Sequence, residues 1–160
     1  MSDADFSAAA VRARVAASAL ALGRSVDVWS LTLAVLALAG LLWAVPVLAQ
    51  ACLLVSLLAA GVQKTFALRV AFDAAIFGGW AERWACAVGD ATSAIPADLR
   101  AFDEALAATG RRAAPDDSPR DLDSRLRGAC QLFGRQLTAF VTQFAAWLVA
   151  VLAMHWPLAG

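Results

Sequence analysis

The chain has little of the chemistry that metal, cofactor and nucleophile sites require. It contains one histidine, His155, and three scattered cysteines, none of which forms a C-x-x-C pair. A multi-histidine metal site and a haem held by two histidines are therefore excluded within a single chain. A glycine-rich phosphate loop, a Walker lysine and an acidic metal cluster are also missing from the sequence. We predict no metal, no cofactor and no enzymatic activity.

Charged side chains are missing from two long stretches. Residues 28–63, 36 in number, carry no charge, and the 25 residues after Arg135 contain only His155. A helix as long as the first stretch would measure about 54 Å, nearly twice the hydrocarbon thickness of a bilayer. That stretch must therefore fold back on itself, and Pro46 lies near its middle. The second stretch is long enough for one crossing.

These lengths, with a mean hydropathy of +0.68 and 61% hydrophobic residues, predict an integral membrane protein. The predicted fold is all-α with three transmembrane helices. Residues 25–64 form a tight transmembrane hairpin, with spans at about 26–44 and 46–63, and residues 136–160 contain the third span and a short external tail. The first apolar run continues through Leu58 without a pause, so we do not expect it to be cleaved as a signal peptide.

The segment before the first span, residues 1–24, is rich in alanine and contains Arg12 and Arg14. It is predicted either as a helix lying on the lipid headgroups or as a partly ordered cytoplasmic tail. Gly23 is expected to end this segment, and Ser25 to cap the helix of the first span.

Residues 65–135 are predicted to be a cytoplasmic helical region. Helix-forming residues continue the second span through Val88, and Gly78-Gly79 is the expected kink or point of close helix approach. A short amphipathic helix is indicated by Ile95, Leu99, Phe102 and Leu106. Ser118 to Asp121 has the pattern of a helix start, with Ser118 as the capping residue. The long helices are predicted to extend from the membrane and pair as a cytoplasmic helical hairpin.

The distribution of basic residues predicts the orientation. All 13 lysines and arginines lie before the first span or between the second and third. Because such residues are retained on the cytoplasmic side, the N-terminus and residues 65–135 are predicted to be cytoplasmic and the C-terminus external. Helical spans and the composition indicate a multi-pass protein of a bacterial inner membrane. The formal net charge is zero, so nucleic acid is not an expected partner.

Polar residues within the spans are the first candidate contacts, because hydrocarbon makes unpaired polar groups costly. One stripe on the third helix comprises Gln131, Arg135, Thr138 and Thr142, and a second comprises Gln136 and Gln143. They serve either as interhelical hydrogen bonds or as a polar path for a solute. The candidate intramembrane polar contacts are Gln50, Gln63, Thr138, Thr142 and Gln143.

Two further sets of residues are candidates for contacts outside the hydrocarbon. Lys64, Arg69 and Arg135 are expected at headgroup level, where they contact anionic lipid or serve as ordinary anchors. Asp73 is expected to pair with Arg69 or Arg135. The aromatic residues of the second helix's extension either pack within the chain or contact another protein, and the candidate partner contacts are Phe77, Trp80 and Trp84.

The function we expect is that of a non-catalytic accessory, scaffold or assembly subunit of a larger membrane complex. Its partners would be membrane lipids and either another membrane protein or further copies of the chain. The alternative is an oligomeric transport or pore component with a path lined by glutamine and threonine. A small lipid-active enzyme using Arg69, Asp73 and Arg135 is a third possibility.

Overall fold

A computed structural model describes residues 3–43, 45–86, 91–108 and 121–155, with the side chains of 3–6 and 91–93 left out. These residues form four α-helices, which confirms the all-α prediction. The helices are α1 (Asp3–Leu41), α2 (Val47–Cys86), α3 (Ala91–Ala108) and α4 (Leu122–His155). Three of them, α1, α2 and α4, are long and apolar enough to cross a membrane.

The first helix is longer than the sequence suggested. α1 runs unbroken from Asp3 to Leu41, so the predicted helix end at Gly23 and cap at Ser25 are wrong. The pattern was misread because glycine is a poor helix former and often follows a helix end. Here Gly23 is buried inside the helix. The tight turn before Pro46 is confirmed, because residues 42, 43, 45 and 46 are outside the helices.

The other helix boundaries follow the predictions closely. α2 continues past Lys64 to Cys86 without interruption. A Cβ on Gly78 would meet only Ala17, at 4.0 Å, and one on Gly79 would meet nothing within 4 Å, so the kink or close approach predicted at this pair is wrong. The predicted amphipathic helix is α3. α4 begins at Leu122, and its cap is Asp121, whose Oδ1 accepts a hydrogen bond of 3.1 Å from the Ser124 backbone N–H. The expected cap, Ser118, lies outside the described residues.

Buried positions recur every seven residues along the long helices. In α2 they are Ala49, Ser56, Gln63, Val70, Phe77 and Trp84, and in α4 they are Leu122, Ala129, Gln136, Gln143 and Ala150. A seven-residue repeat is typical of helices that wrap around one another with left-handed twist. Many of the repeating residues are small, which allows close backbone approach in such bundles.

The chain divides into two compact units. Unit 1 takes the start of α1 up to Leu20, α2 from Phe72, α3, and α4 up to Cys130. Its interior is aromatic: the rings of Trp80 and Trp84 stack at 5.6 Å, and Phe102 meets Trp80 edge-on at 5.5 Å. This interior explains why the extension of α2 is so apolar.

Unit 2 takes residues 21–71 and 131–160, so α1, α2 and α4 supply its three helices. One end has an apolar core of Ala37, Ala49, Leu53 and Ala150, all buried. The α1 segment from Ala21 to Leu41 is about 30 Å long, which equals the hydrocarbon thickness of a bilayer. Most large apolar side chains of this segment are exposed, as expected for a helix that faces lipid.

Candidate functional site

The interior of unit 2 contains polar side chains that bond between helices. Gln143 of α4 donates from Nε2 to the backbone oxygen of Ser30 in α1 at 2.7 Å, and the Ser30 hydroxyl donates to Gln143 Oε1 at 2.5 Å. The hydroxyl of Ser56 in α2 donates to the backbone oxygen of Gln143 at 3.2 Å. All three residues are buried. This triad therefore joins all three helices at one level.

A second level of polar contact lies seven residues away in both α1 and α4. Gln136 donates from Nε2 to the backbone oxygen of Gly23 at 2.8 Å. The Gly23–Gln136 and Ser30–Gln143 pairs are both separated by 113 residues, so α1 and α4 run parallel and in register. Between these two levels Lys64 Nζ lies 2.7 Å from Asp27 Oδ2, which ties α2 to α1.

Three buried polar atoms in this part of unit 2 have no hydrogen-bond partner among the described residues. They are Asp27 Oδ1, Gln63 Nε2 and Gln136 Oε1. Each comes from a different helix. We call the group formed by Asp27, Gln63 and Gln136 the polar cluster.

The predicted intramembrane contacts divide into two groups. Gln63 and Gln143 are buried within the bundle, as a contact between helices requires. Gln50, Thr138 and Thr142 are exposed on its surface. Both threonine hydroxyls bond within their own helix, to the backbone oxygens of residues 134 and 138. Gln50 and Thr142 each lie one position away from the buried seven-residue repeat and Thr138 lies two, so all three are on the outer face of their helices.

Sequence reasoning left Ser30, Asp27 and Gln136 out of the site. Gln136 was recognised as seven residues from Gln143 but was not named as a contact. The seven-residue repeat that contains both would have found it. Asp27 falls in the first turn of the span predicted at about 26–44, where the helix dipole tolerates a carboxylate without a partner. No pattern in the sequence pairs α1 with α4, because their contacts are 113 residues apart.

The basic residues predicted at headgroup level are all exposed. Lys64 pairs with Asp27, whereas Arg69 and Arg135 form no ion pair with another described residue. Their contact with anionic lipid remains a prediction. Asp73, within the described chain, pairs with neither arginine, so that expected ion pair is wrong.

The aromatic candidates for partner contact lie in the interior of unit 1. Phe77, Trp80 and Trp84 are no more than 4% exposed, and the indole N–H of Trp84 donates to Asp98 Oδ2 at 2.9 Å. Their packing within the chain was the alternative weighed above. They do not form an exposed patch, so a partner would have to contact a different surface.

Close packing around Gly23 gives a test of the bundle geometry. A Cβ there would lie 2.9 Å from Gln136 Oε1 and 3.0 Å from Val70 Cγ1. We expect Gly23→Ala to destabilise the bundle by about 1–3 kcal/mol, because neither neighbour can move without loosening a helix contact. Unfolding in a detergent titration, followed by circular dichroism, measures the change.

The matched control is Gly61→Ala in α2, where a Cβ would meet nothing within 4 Å. Alanine there should leave stability unchanged or raise it by up to about 1 kcal/mol, because alanine is the better helix former. Equal effects of the two substitutions would contradict the close approach at Gly23.

Among the described residues, no group of three or more histidine, cysteine, aspartate or glutamate side chains is placed to hold a metal ion. The three cysteines form no disulfide bond. Comparison of the chain with protein-family models, with curated proteins and with solved structures gives no match.

Proposed function

We propose that this protein is a non-catalytic accessory, scaffold or assembly subunit of a larger membrane complex. The observation that carries the proposal is the bonding inside unit 2. Ser30, Ser56 and Gln143 bond to one another across three helices. Their polar groups hold the helices in register, so these side chains are used for structure. Contacts with a partner protein would then be made by the outer surface.

Unit 1 supports the same proposal. It has its own aromatic interior and a buried ion pair, in which Arg125 lies 2.6 Å from Asp103. A folded unit in the same chain as three helices long enough to cross a membrane suits a protein that positions other proteins. On its surface α1 exposes Val11 and Val15, two apolar side chains one turn apart.

Site-specific photo-crosslinking in native membranes tests the proposal. We expect a photoreactive phenylalanine analogue at exposed Val15 to yield a reproducible covalent adduct with another protein. The same analogue at buried Phe77 is the control, because that ring is enclosed within unit 1 and should yield none. If Val15 and other exposed positions on both units yield only uncrosslinked protein, and mild solubilisation always releases the chain alone, the accessory role is wrong.

A second candidate function is an oligomeric transport or pore component. It is favoured by the exposure of Thr138 and Thr142 on α4, since several copies could turn this face toward a shared lumen. Solute flux in liposomes would test it, with Thr142→Val expected to lower flux without unfolding the bundle. Unchanged flux in that variant would exclude the threonine face as the path.

We further propose that the protein lies in a bacterial inner membrane, with its N-terminus and residues 65–135 in the cytoplasm and its C-terminus outside. Two of the native cysteines, Cys86 and Cys130, provide a test because they are exposed in unit 1. A membrane-impermeant maleimide should label both in inverted vesicles and neither in intact spheroplasts. Trp43→Cys, at the exposed hairpin turn, should give the opposite result in a variant lacking the native thiols. Labelling of Cys86 in intact spheroplasts would show that the orientation is the opposite of the proposed one.

A further inference from the structure

The polar cluster of unit 2 has a hydrogen-bonding requirement that the described side chains do not meet. Asp27 Oδ1 and Gln136 Oε1 are buried acceptors without a donor, and Gln63 Nε2 is a buried donor without an acceptor. Gln63 and Gln136 are at most 1% exposed. Leaving one such group unpaired costs about 1–3 kcal/mol, so three together call for a ligand.

The bonds already described bring these groups to one part of the bundle. The 2.7 Å contact of Lys64 with Asp27 places Gln63, the neighbour of Lys64, at the level of Asp27. Gln136 bonds to Gly23, which lies four residues before Asp27 on α1. A helix advances about 5.4 Å per turn, so the three residues lie within about two turns along the bundle. Asp27 also leans toward the Gly23 level, because helical side chains point toward the N-terminus.

Turning the side-chain amides over does not remove the requirement. Reversal of the Gln136 amide would break its 2.8 Å bond to Gly23 and set two acceptor oxygens against each other there. Reversal at Gln63 would exchange an unpartnered donor for an unpartnered acceptor. The mismatch therefore belongs to the residue types and their burial.

We propose that ordered water is bound in the polar cluster, accepting a hydrogen bond from Gln63 Nε2 and donating to Asp27 Oδ1 and Gln136 Oε1. Water both donates and accepts hydrogen bonds, so one molecule or a short chain of molecules can serve the donor and both acceptors, each buried water making about three bonds. A metal cation fits less well, because Lys64 already neutralises the Asp27 carboxylate. The bound water hydrates the Asp27–Lys64 pair from inside the bundle.

Water contact can be measured directly on the full-length protein in lipid nanodiscs. The chain has five glutamines, so selective ¹⁵N labelling gives a small set of side-chain amides. We expect proton magnetisation to pass from water to the Gln63 amide several times faster than to the Gln143 amide. Gln143 is the matched control because it is equally buried and both of its polar groups are bonded. Equal transfer rates at the two residues would overturn the proposal.

The sign of a stability change gives an independent test. Gln63→Met preserves the shape of the side chain and removes the donor. If water is bound, the variant removes the hydrogen bond that Gln63 donates to it. We then expect the unfolding equilibrium constant in a detergent titration to rise about fivefold or more. Without water, the variant removes an unpaired buried group, so the constant should fall. Gln50→Met, at an exposed position of the same helix, is the control.

A fall or no change in the constant for Gln63→Met would therefore overturn the proposal. So would stability that depends on which monovalent cation is present, since that result would assign the site to a cation. These outcomes are separate from the proposed function, because a bundle that holds water could serve in an accessory subunit or in a transporter.

Discussion

Replacing Arg125 by methionine is expected to destabilise unit 1 by about 3–5 kcal/mol. The guanidinium lies 2.6 Å from the Asp103 carboxylate, and the two side chains are only 8% and 4% exposed. It also lies over the Phe102 ring, at 5.1 Å from the centroid. Methionine would remove the guanidinium that lies against the buried Asp103 carboxylate. Thermal unfolding, followed by near-ultraviolet circular dichroism of the stacked tryptophans, measures the loss.

Two further variants separate this ion pair from a general loss of positive charge. Arg127→Met removes an exposed arginine two residues along α4 and should change stability by no more than about 0.5 kcal/mol. Adding Asp103→Leu to Arg125→Met should recover much of the lost stability, because the buried carboxylate that loses the Arg125 guanidinium is then removed as well. A double variant no more stable than Arg125→Met would contradict this explanation.

Replacing Gln143 by leucine is expected to destabilise unit 2 by about 1–3 kcal/mol. The substitution removes both side-chain bonds to Ser30, the donated one and the accepted one. It preserves the Ser56 bond, which ends on the backbone oxygen of residue 143. Detergent-induced unfolding of the purified protein, followed by circular dichroism, measures the effect.

The control for this prediction is Gln50→Leu, which makes the same chemical change at an exposed position of α2. It should leave stability unchanged or raise it, because the position faces away from the bundle. Combining Gln143→Leu with Ser30→Ala completes a double-mutant cycle, and its coupling energy isolates the Ser30–Gln143 bonds. A coupling energy near zero would mean that these bonds do not hold the helices together.

Much of the fold could be predicted because hydrophobic length and helix-ending residues are local signals. The uncharged runs predicted the three long apolar helices, and Pro46 predicted the tight turn. Gly23 was misread because its role depends on distant residues. It lies within α1 where Gln136 and Val70 leave no space for a Cβ. Tertiary packing there outweighs the local preference of about 1 kcal/mol against glycine in a helix.

The candidate site was predicted less completely, and the reason is the seven-residue repeat. Gln50 is one of the predicted intramembrane contacts, but the buried repeat of α2 runs through Ala49, Ser56 and Gln63. An error of one residue rotates a side chain by about 100° around the helix, from the interior to the surface. The pairing of α1 with α4 is a relation between distant segments, which no pattern within one helix can contain.

Ser56 donates its hydrogen bond to the backbone oxygen of Gln143, which lies 87 residues later in the chain. The three helices of unit 2 can therefore complete their contacts only after Gln143 has been synthesised. Ribosomes add about 5–20 residues per second, so a chain inserted during synthesis holds its first two helices for several seconds before Gln143 emerges. During that time the hydroxyls of Ser30 and Ser56 lack the acceptors that Gln143 later provides. The first two long helices therefore exist for that time without their polar contacts to α4, the helix that completes the bundle last.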